Sequence, residues 1–159
     1  MISRQNKKGF TLVELLVIVA VMGAMIAVGF PNLMHYIQNN RLKTAARSIQ
    51  GDFIELKLKT TSENRLYRLT FSGSSYTISR CNNVAEVPCA AYTNLSTTNI
   101  NTFDSGISIS GNPFSGAIVQ FDTRGTITPG SVTLVNSRGS SAVITVNITG
   151  KAYVTYTLQ

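Results

Sequence analysis

The sequence predicts an α+β protein, in which one long N-terminal helix packs on a C-terminal antiparallel β-sandwich or meander. An apolar run extends from Phe10 to Phe30, and apolar residues then recur at helical spacing over residues 33–60. From Arg65 onward, apolar and polar residues alternate with the period of a strand. The segment after residue 61 is rich in Ser, Thr, Asn and Gly with β-branched residues between them, a composition that indicates strands and turns.

The apolar run has the length of a membrane-spanning helix. Its 21 residues, at a rise of about 1.5 Å each, extend over roughly 30 Å, the thickness of a bilayer core. Arg4, Lys7 and Lys8 precede it, and such positive charges hold the N-terminal end of a span on the cytoplasmic side. Beyond the first nine residues, 11 Lys and Arg stand against 7 Asp and Glu, and this net charge of +4 does not by itself indicate a nucleic-acid partner.

One charged residue, Glu14, lies near the start of the run. A charge at the centre of a span costs about 2.5–3.5 kcal/mol, and less near an end, so an ionised Glu14 needs a positive partner. No Lys, Arg or His lies between Phe10 and Phe30, so the partner must come from another chain or from a new N-terminus. Cleavage between Gly9 and Phe10 would create such an amino group. A plain anchor, or a signal peptide cut near residues 27–29, are the alternatives.

The stretch "KKGFTLVELL" resembles the processing motif of type IV pilins and pseudopilins. A basic leader of residues 1–9 ends on Gly9, an aromatic residue, Phe10, would begin the mature chain, and Glu14 would be its fifth residue. The resemblance implies that a prepilin peptidase cuts between Gly9 and Phe10 and methylates the Phe10 amine. It also implies that Glu14 pairs with that amine on an adjacent subunit during assembly.

The resemblance further implies a location and a set of partners. The protein would cross the inner membrane once, with its C-terminal domain in the periplasm, and would then enter a pilus or pseudopilus. Residues 10–30 would be the transmembrane and filament-core helix. Partners would be other pilin or pseudopilin subunits, the prepilin peptidase, the inner-membrane assembly platform and membrane lipid.

Gly29 and Pro31 predict a break in the helix, as a kink or a local unwinding, at a position where such pilins commonly have a proline. Residues 31–61 are predicted to continue the helix as an amphipathic segment, and "TTSEN" at 60–64 to end it. Its apolar stripe should pack on the domain that follows, and comprises Leu42, Ala45, Ala46, Ile49, Phe53 and Leu56. The positive residues off this stripe indicate a solvated face, partly paired with Asp52 and Glu55.

Residues 62–159 are predicted to form a globular β domain of about seven short strands, without a second helix. Alternation places Tyr67, Leu69 and Phe71 on one face, while residues 81–116 have no regular pattern and are predicted to be irregular. "IVQFDTRGTI" predicts a hairpin whose turn ends on Gly125. Two final strands have apolar faces, formed by Ala142, Ile144, Val146 and Ile148 and by Ala152, Val154, Tyr156 and Leu158.

Cys81 and Cys89 lie close together in "CNNVAEVPC", and a pair at this spacing in an exported chain predicts a disulfide. Closing so short a loop contributes roughly 2–3 kcal/mol on the chain-entropy model. Two thiols are too few for a structural zinc site, so no metal is expected.

The C-terminal end is similar to the GspH/FimT group of minor pilins, on the basis of "FDTRG" followed by "ITVNITGKAYVTY". Some members of that group are linked to DNA uptake through a Gly-Arg-x-Arg motif. Here Gly150 matches, Lys151 replaces the first Arg and Tyr153 the second. Lys151 is therefore the candidate DNA contact, but the loss of one charge and of the forked Arg donors makes nucleic acid a disfavoured partner.

The sequence does not indicate an enzyme or a cofactor. His35 is the only histidine, and it lies in the predicted helix. The resulting interpretation is a minor pilin or pseudopilin that primes or caps a type IV pilus or a type II secretion pseudopilus. The alternatives are a DNA-binding minor pilin of a natural-transformation pilus and a secreted β domain with a signal peptide.

Overall fold

The computed structural model describes residues 10–84, 88–111 and 114–159. One helix, α1 (Leu12–Glu63), precedes all the strands, and two short 3-10 helices, Ile100–Thr102 and Ser115–Ala117, lie between strands. The strands are β1 (Tyr67–Ser72), β2 (Ser75–Cys81), β3 (Tyr92–Asn99), β4 (Ser108–Ser110), β5 (Ile118–Phe121), β6 (Gly130–Val135), β7 (Ser141–Val146) and β8 (Ala152–Thr157). The chain divides into two compact units, residues 1–37 and residues 38–159.

The strands form two antiparallel sheets, which confirms the predicted α+β class. One sheet has the order β3-β2-β1-β5 and the other β4-β6-β7-β8. In the first hairpin, β1 and β2 pair up to Ser72 opposite Ser75, and Gly73 in the turn has a φ of 56°. Such a positive φ suits glycine because it has no Cβ. The last hairpins join β6, β7 and β8 in sequence order.

The core of residues 38–159 forms where α1 meets both sheets. The predicted apolar stripe of the helix is buried, with Phe53 fully inaccessible to solvent and Leu56 only 2% exposed. The Phe53 ring lies 6.0 Å from that of Phe121 in the first sheet and 6.2 Å from that of Phe114, centroid to centroid. Burial of each such side chain stabilises the fold by about 1.5–3 kcal/mol. Residues 38–159 therefore have a hydrophobic core of their own, and this fragment can be studied separately.

The end of α1 lies where "TTSEN" predicted it. The helix ends at Glu63, and Asn64 follows with a φ of 51°. Asn is one of the few residues other than Gly that adopt this left-handed conformation at a helix C-terminus. The hairpin turn after β5 also has the predicted geometry, since Gly125 has a φ of 78° and its N–H donates to the Asp122 carbonyl at 2.8 Å.

The local unwinding predicted near Gly29 and Pro31 is not seen, because α1 continues through both positions. A proline within a helix removes one backbone hydrogen bond and crowds the preceding turn, while the bonds on either side can hold the helix together. A bend at this position stays a prediction.

The prediction that residues 81–116 are irregular was wrong, since β3 and β4 lie within them. β3 is an edge strand whose side chains are mostly exposed on both faces, so it has no apolar alternation to reveal it. The prediction was also wrong for two side chains that it placed on the apolar faces of the final strands. Ile148 is 61% exposed because β7 ends at Val146, and Leu158 is 41% exposed beyond the end of β8.

Two tyrosines of the first sheet donate hydrogen bonds to carboxylates on α1. The Tyr76 hydroxyl lies 2.5 Å from Asp52 Oδ2, and the Tyr67 hydroxyl lies 2.7 Å from Glu63 Oε2. Burial, reinforced by these carboxylates, raises the pKa of each tyrosine to about 12, so both remain donors at neutral pH. Asp52 thus binds a tyrosine, whereas Glu55 forms the predicted type of ion pair, at 2.6 Å from Lys59 Nζ.

Two carboxylates in this domain have pKa values displaced in opposite directions. Burial raises the pKa of Asp52 above its ordinary value of 3.8, although the hydrogen bond from Tyr76 opposes the shift. Hydrogen bonds from the Gly106 N–H and from Arg41 lower the pKa of Asp104 below 3.8, and Arg41 Nη1 lies 3.0 Å from its carboxylate. Folding therefore favours the protonated form of Asp52 and the ionised form of Asp104.

These displacements predict opposite pH dependence for two matched variants. Protonated Asp52 contributes to the free energy of unfolding in acid, and this contribution is lost as pH rises from 3.8 through its raised pKa. Asp52→Asn should therefore gain stability relative to the parent across this window. The contribution of Asp104 is lost as pH falls from 3.8 through its lowered pKa, so Asp104→Asn should be destabilised at neutral pH and approach the parent in acid. Urea unfolding of residues 38–159 between pH 2.5 and 7 measures both. Parallel curves for the two variants would contradict this assignment.

Candidate functional site

The first candidate site is the N-terminal turn of α1, where Thr11 and Glu14 form a reciprocal pair. The Glu14 carboxylate oxygen Oε2 accepts from the Thr11 N–H at 3.0 Å and from the Thr11 hydroxyl at 3.2 Å. In return, Thr11 Oγ1 accepts from the Glu14 N–H at 3.2 Å. This arrangement is a capping box, in which a Thr before the helix and a Glu three residues later satisfy exposed backbone donors of the first turn.

Sequence reasoning missed the capping role of Thr11, although the pattern "TLVE" is the sequence signal of a capping box. The contact also gives Glu14 a second role, since a negative charge in the first turn interacts favourably with the helix dipole. Both hydrogen bonds come from neutral donors. They orient the carboxyl group of Glu14 at the start of the helix.

Among the described residues, those from Phe10 to Ile26 include many large apolar side chains that are exposed. Phe10 is 79% exposed, and Leu12, Met25 and Ile26 are each at least 65% exposed. Contiguous apolar exposure of this extent indicates a surface that another molecule covers. Among the residues that the structure describes, no helix combines the length and the apolarity needed to cross a membrane. The predicted processing residue Gly9 lies outside the described residues.

The predicted disulfide between Cys81 and Cys89 is present. The two Cα atoms are 5.9 Å apart, and the cysteines are eight positions apart in sequence. Cys81 is the last residue of β2 and is fully buried. The Arg65 guanidinium donates to the carbonyl of Asn82 at 2.6 Å, so the chain leaving β2 is held both covalently and by a charged hydrogen bond.

The second candidate site surrounds Lys151, in the turn between β7 and β8. Asn147 organises this turn, because its Oδ1 accepts from the Lys151 N–H and from the Thr149 hydroxyl, each at 2.8 Å. Gly150 has a φ of 76°, and a Cβ there would lie 2.7 Å from Cδ of Lys57 on α1. The glycine of "GKAY" therefore has a packing reason that does not involve a ligand.

The Lys151 side chain lies beside a groove between this turn and α1. Its ammonium is 5.0 Å from the centroid of the Tyr153 ring. Lys57 Nζ lies on the same groove but donates to the Thr149 carbonyl at 2.8 Å. DNA binding through Lys151 stays a prediction, and the neighbours of Lys151 in the groove are largely apolar. Within the described parts of the chain, no group of three or more His, Cys, Asp or Glu side chains is placed to hold a metal ion.

Comparison with known proteins identifies the N-terminal segment. Residues 4–30 match the family model of the prokaryotic N-terminal methylation motif. This match covers the basic leader, both predicted processing residues and Glu14, and it ends one residue before Pro31.

The fold is shared with solved structures of minor pilins and pseudopilins. The minor pseudopilin EpsH from the type 2 secretion system of Vibrio cholerae has a TM-score of 0.58 at 11% identity, covering 73% of this chain and 97% of EpsH. The type IV minor pilin FimU of Pseudomonas aeruginosa has a TM-score of 0.54 at 16% identity, with 76% and 92% covered. GspH of E. coli has a TM-score of 0.53 at 18% identity, with 77% and 91% covered.

At these identities the structural likeness establishes the fold. The match to the methylation motif is a separate finding and concerns residues 4–30 alone.

The disulfide predicts a measurable loss of stability when it is removed. Cys89→Ser should lower the free energy of unfolding of residues 38–159 by roughly 2–3 kcal/mol, because the unfolded chain regains the freedom of the short loop. Reduction of the parent protein should lower its melting temperature to that of the variant and should not affect the variant itself. Rapid alkylation of two thiols in the native, unreduced domain would contradict the bridge.

Proposed function

We propose that this chain is a minor pilin or pseudopilin, a structural subunit that primes or caps a type IV pilus or a type II secretion pseudopilus. The observation that carries the proposal is the coincidence of two independent features in one chain. Its N-terminal residues match the methylation motif, and its globular domain has the fold of EpsH, FimU and GspH. Neither feature alone specifies a minor subunit.

In this proposal the N-terminal segment has two successive environments. Prepilin peptidase cleaves between Gly9 and Phe10 and methylates the new amine, and residues 10–30 hold the protein in the inner membrane with the β domain in the periplasm. The assembly platform then transfers the subunit into the filament. The exposed apolar side chains from Leu12 to Ile26 support this sequence of events, since lipid and then neighbouring helices would cover them.

Glu14 has a defined part in the transfer. Its carboxyl group is oriented by Thr11, so it presents a preorganised acceptor to the methylated Phe10 amine of an adjacent subunit. Pairing of these two groups in an apolar surrounding sets the axial register of the incoming subunit. The capping box lowers the cost of pairing because the side chain is already held in one conformation.

Processing is the first prediction of this proposal. The chain extracted from membranes should begin at N-methylated Phe10, because the peptidase motif spans the junction with Gly9. Intact-mass and N-terminal peptide mass spectrometry measure this directly. A mature chain that begins near residue 30, or that retains Met1, would exclude the pilin interpretation and would favour a secreted domain or a plain anchor.

Three substitutions separate the two roles of the N-terminal turn. Glu14→Gln keeps an oxygen acceptor for the Thr11 N–H but removes the charge, whereas Thr11→Ala removes the hydroxyl and keeps the charge. Glu14→Leu removes both the charge and the acceptor. If pairing with the amine controls assembly, Glu14→Gln and Glu14→Leu should both lower incorporation by at least about tenfold, and Thr11→Ala should lower it far less.

The measurement is the amount of each variant in the inner membrane and in sheared filaments. Glu14→Leu should insert at least as well as the parent, because a costly charge has been removed. Loss of incorporation in Thr11→Ala with normal incorporation of Glu14→Gln would show that Glu14 acts only as a helix cap. That result would overturn the proposed pairing.

A further inference from the structure

We infer that the groove between α1 and the β7–β8 turn is a docking site for an apolar, carboxylate-bearing segment of a different pilin-type subunit. The groove has a volume of about 560 Å³ and is lined by Ile54, Lys57, Leu58, Thr149, Gly150, Lys151 and Ala152. The inference rests on the proposed function, because it names a partner of the assembled subunit.

The floor of the groove is an apolar strip that the domain leaves uncovered. Ile54 is 50% exposed and Leu58 is 63% exposed, and residues four apart in a helix lie on the same face. Phe53 and Leu56, on the other face of this helix, are buried in the core. The exposed pair is thus additional to the apolar residues that folding of the domain requires.

The rim of the groove is positive and preorganised. Lys57 extends from the helix and Lys151 from the turn, and the described lining contains no carboxylate. Lys57 Nζ is held by the Thr149 carbonyl, and the backbone of Lys151 is held by Asn147. An apolar floor beside two positive charges is complementary to apolar side chains flanked by carboxylates, and the group that is already held loses little entropy on binding.

The charges of this domain favour a different chain over a second copy. Each of the five carboxylates that the structure describes in residues 38–159 already accepts a hydrogen bond or an ion pair within the domain: Asp52, Glu55, Glu63, Asp104 and Asp122. Among the described residues, a second copy could face Lys57 or Lys151 only with a carboxylate that it would have to share with a partner of its own. A subunit with carboxylates free to bind has no such cost.

The lining also favours a polypeptide over nucleic acid. Nucleic acids bind through several cations along the phosphate backbone and through aromatic stacking. Among the described residues of the lining, Lys57 and Lys151 alone contribute charge, which is fewer cations than a phosphate backbone requires. Phosphates would meet the side chains of Ile54 and Leu58, whereas a peptide would bury them.

Site-specific photocrosslinking in the full-length chain, expressed in its own cells, tests the inference. Benzoylphenylalanine replaces Leu58, and the matched control carries it at Leu95 in β3, which is 46% exposed. The crosslinked chain and peptide are identified by mass spectrometry. We expect position 58, and not position 95, to crosslink to a different chain with an N-terminal methylation motif, through a segment that contains Asp or Glu.

A second substitution tests the contribution of charge. In the Leu58 probe, Lys151→Glu should reduce the crosslink yield by about tenfold, because a carboxylate would then face a carboxylate, while Lys151→Arg should preserve it. Equal yields from positions 58 and 95, insensitivity to Lys151→Glu, or crosslinks to a second copy, to lipid or to nucleic acid would each overturn the inference.

The same cells separate failure of this inference from failure of the proposed function. A mature Phe10 terminus and recovery of the parent chain in sheared filaments support the proposed function without reference to the groove. If both are observed and position 58 gives no crosslink to another pilin-type chain, the inference is wrong and the proposed function stands. If the chain is unprocessed and absent from filaments, both are wrong.

Discussion

Burial of one stripe of α1 against two β-sheets is the constraint on which the domain depends. The stripe from Leu42 to Leu56 is nearly inaccessible to solvent, and residues of both sheets belong to the same core. Neither four-stranded sheet could cover its own apolar face. The helix supplies that cover, and the rest of its circumference remains available for polar contacts and for docking.

Directional contacts at the margin of this core determine how the helix meets each part of the β domain. Asp52 and Glu63 accept hydrogen bonds from tyrosines of the first sheet, and Arg41 pairs with Asp104. The stem of Lys57 lies next to Gly150 in the β7–β8 turn. These contacts orient the helix on the sheets. The same segment of α1 therefore presents Ile54 and Leu58 beside the β7–β8 turn as one continuous surface.

The N-terminal part of the chain differs from the domain in how its apolar side chains are covered. Its apolar side chains have no partner within the described part of the chain, so its environment must be supplied by other molecules. Two polar residues at the start of this helix, Thr11 and Glu14, are hydrogen-bonded to each other. In the proposed assembly, this oriented carboxyl group would favour a neighbour that places a cation beside it.

The sequence by itself determined the features that depend on local pattern. The helical period identified the core stripe, alternation identified β1 and the final strands, and the spacing of Cys81 and Cys89 identified their bridge. The match to the methylation motif is likewise local, because it rests on consecutive residues. The pattern "TLVE" also predicts the capping box of Thr11 and Glu14.

Only the tertiary structure decided the rest. β3 has no apolar period because both of its faces are largely exposed, and Asp52 binds Tyr76, a residue 24 positions further along the chain. The groove beside Lys151 exists because packing brings one helical turn against one β-turn, and no sequence period records a meeting of residues so far apart along the chain.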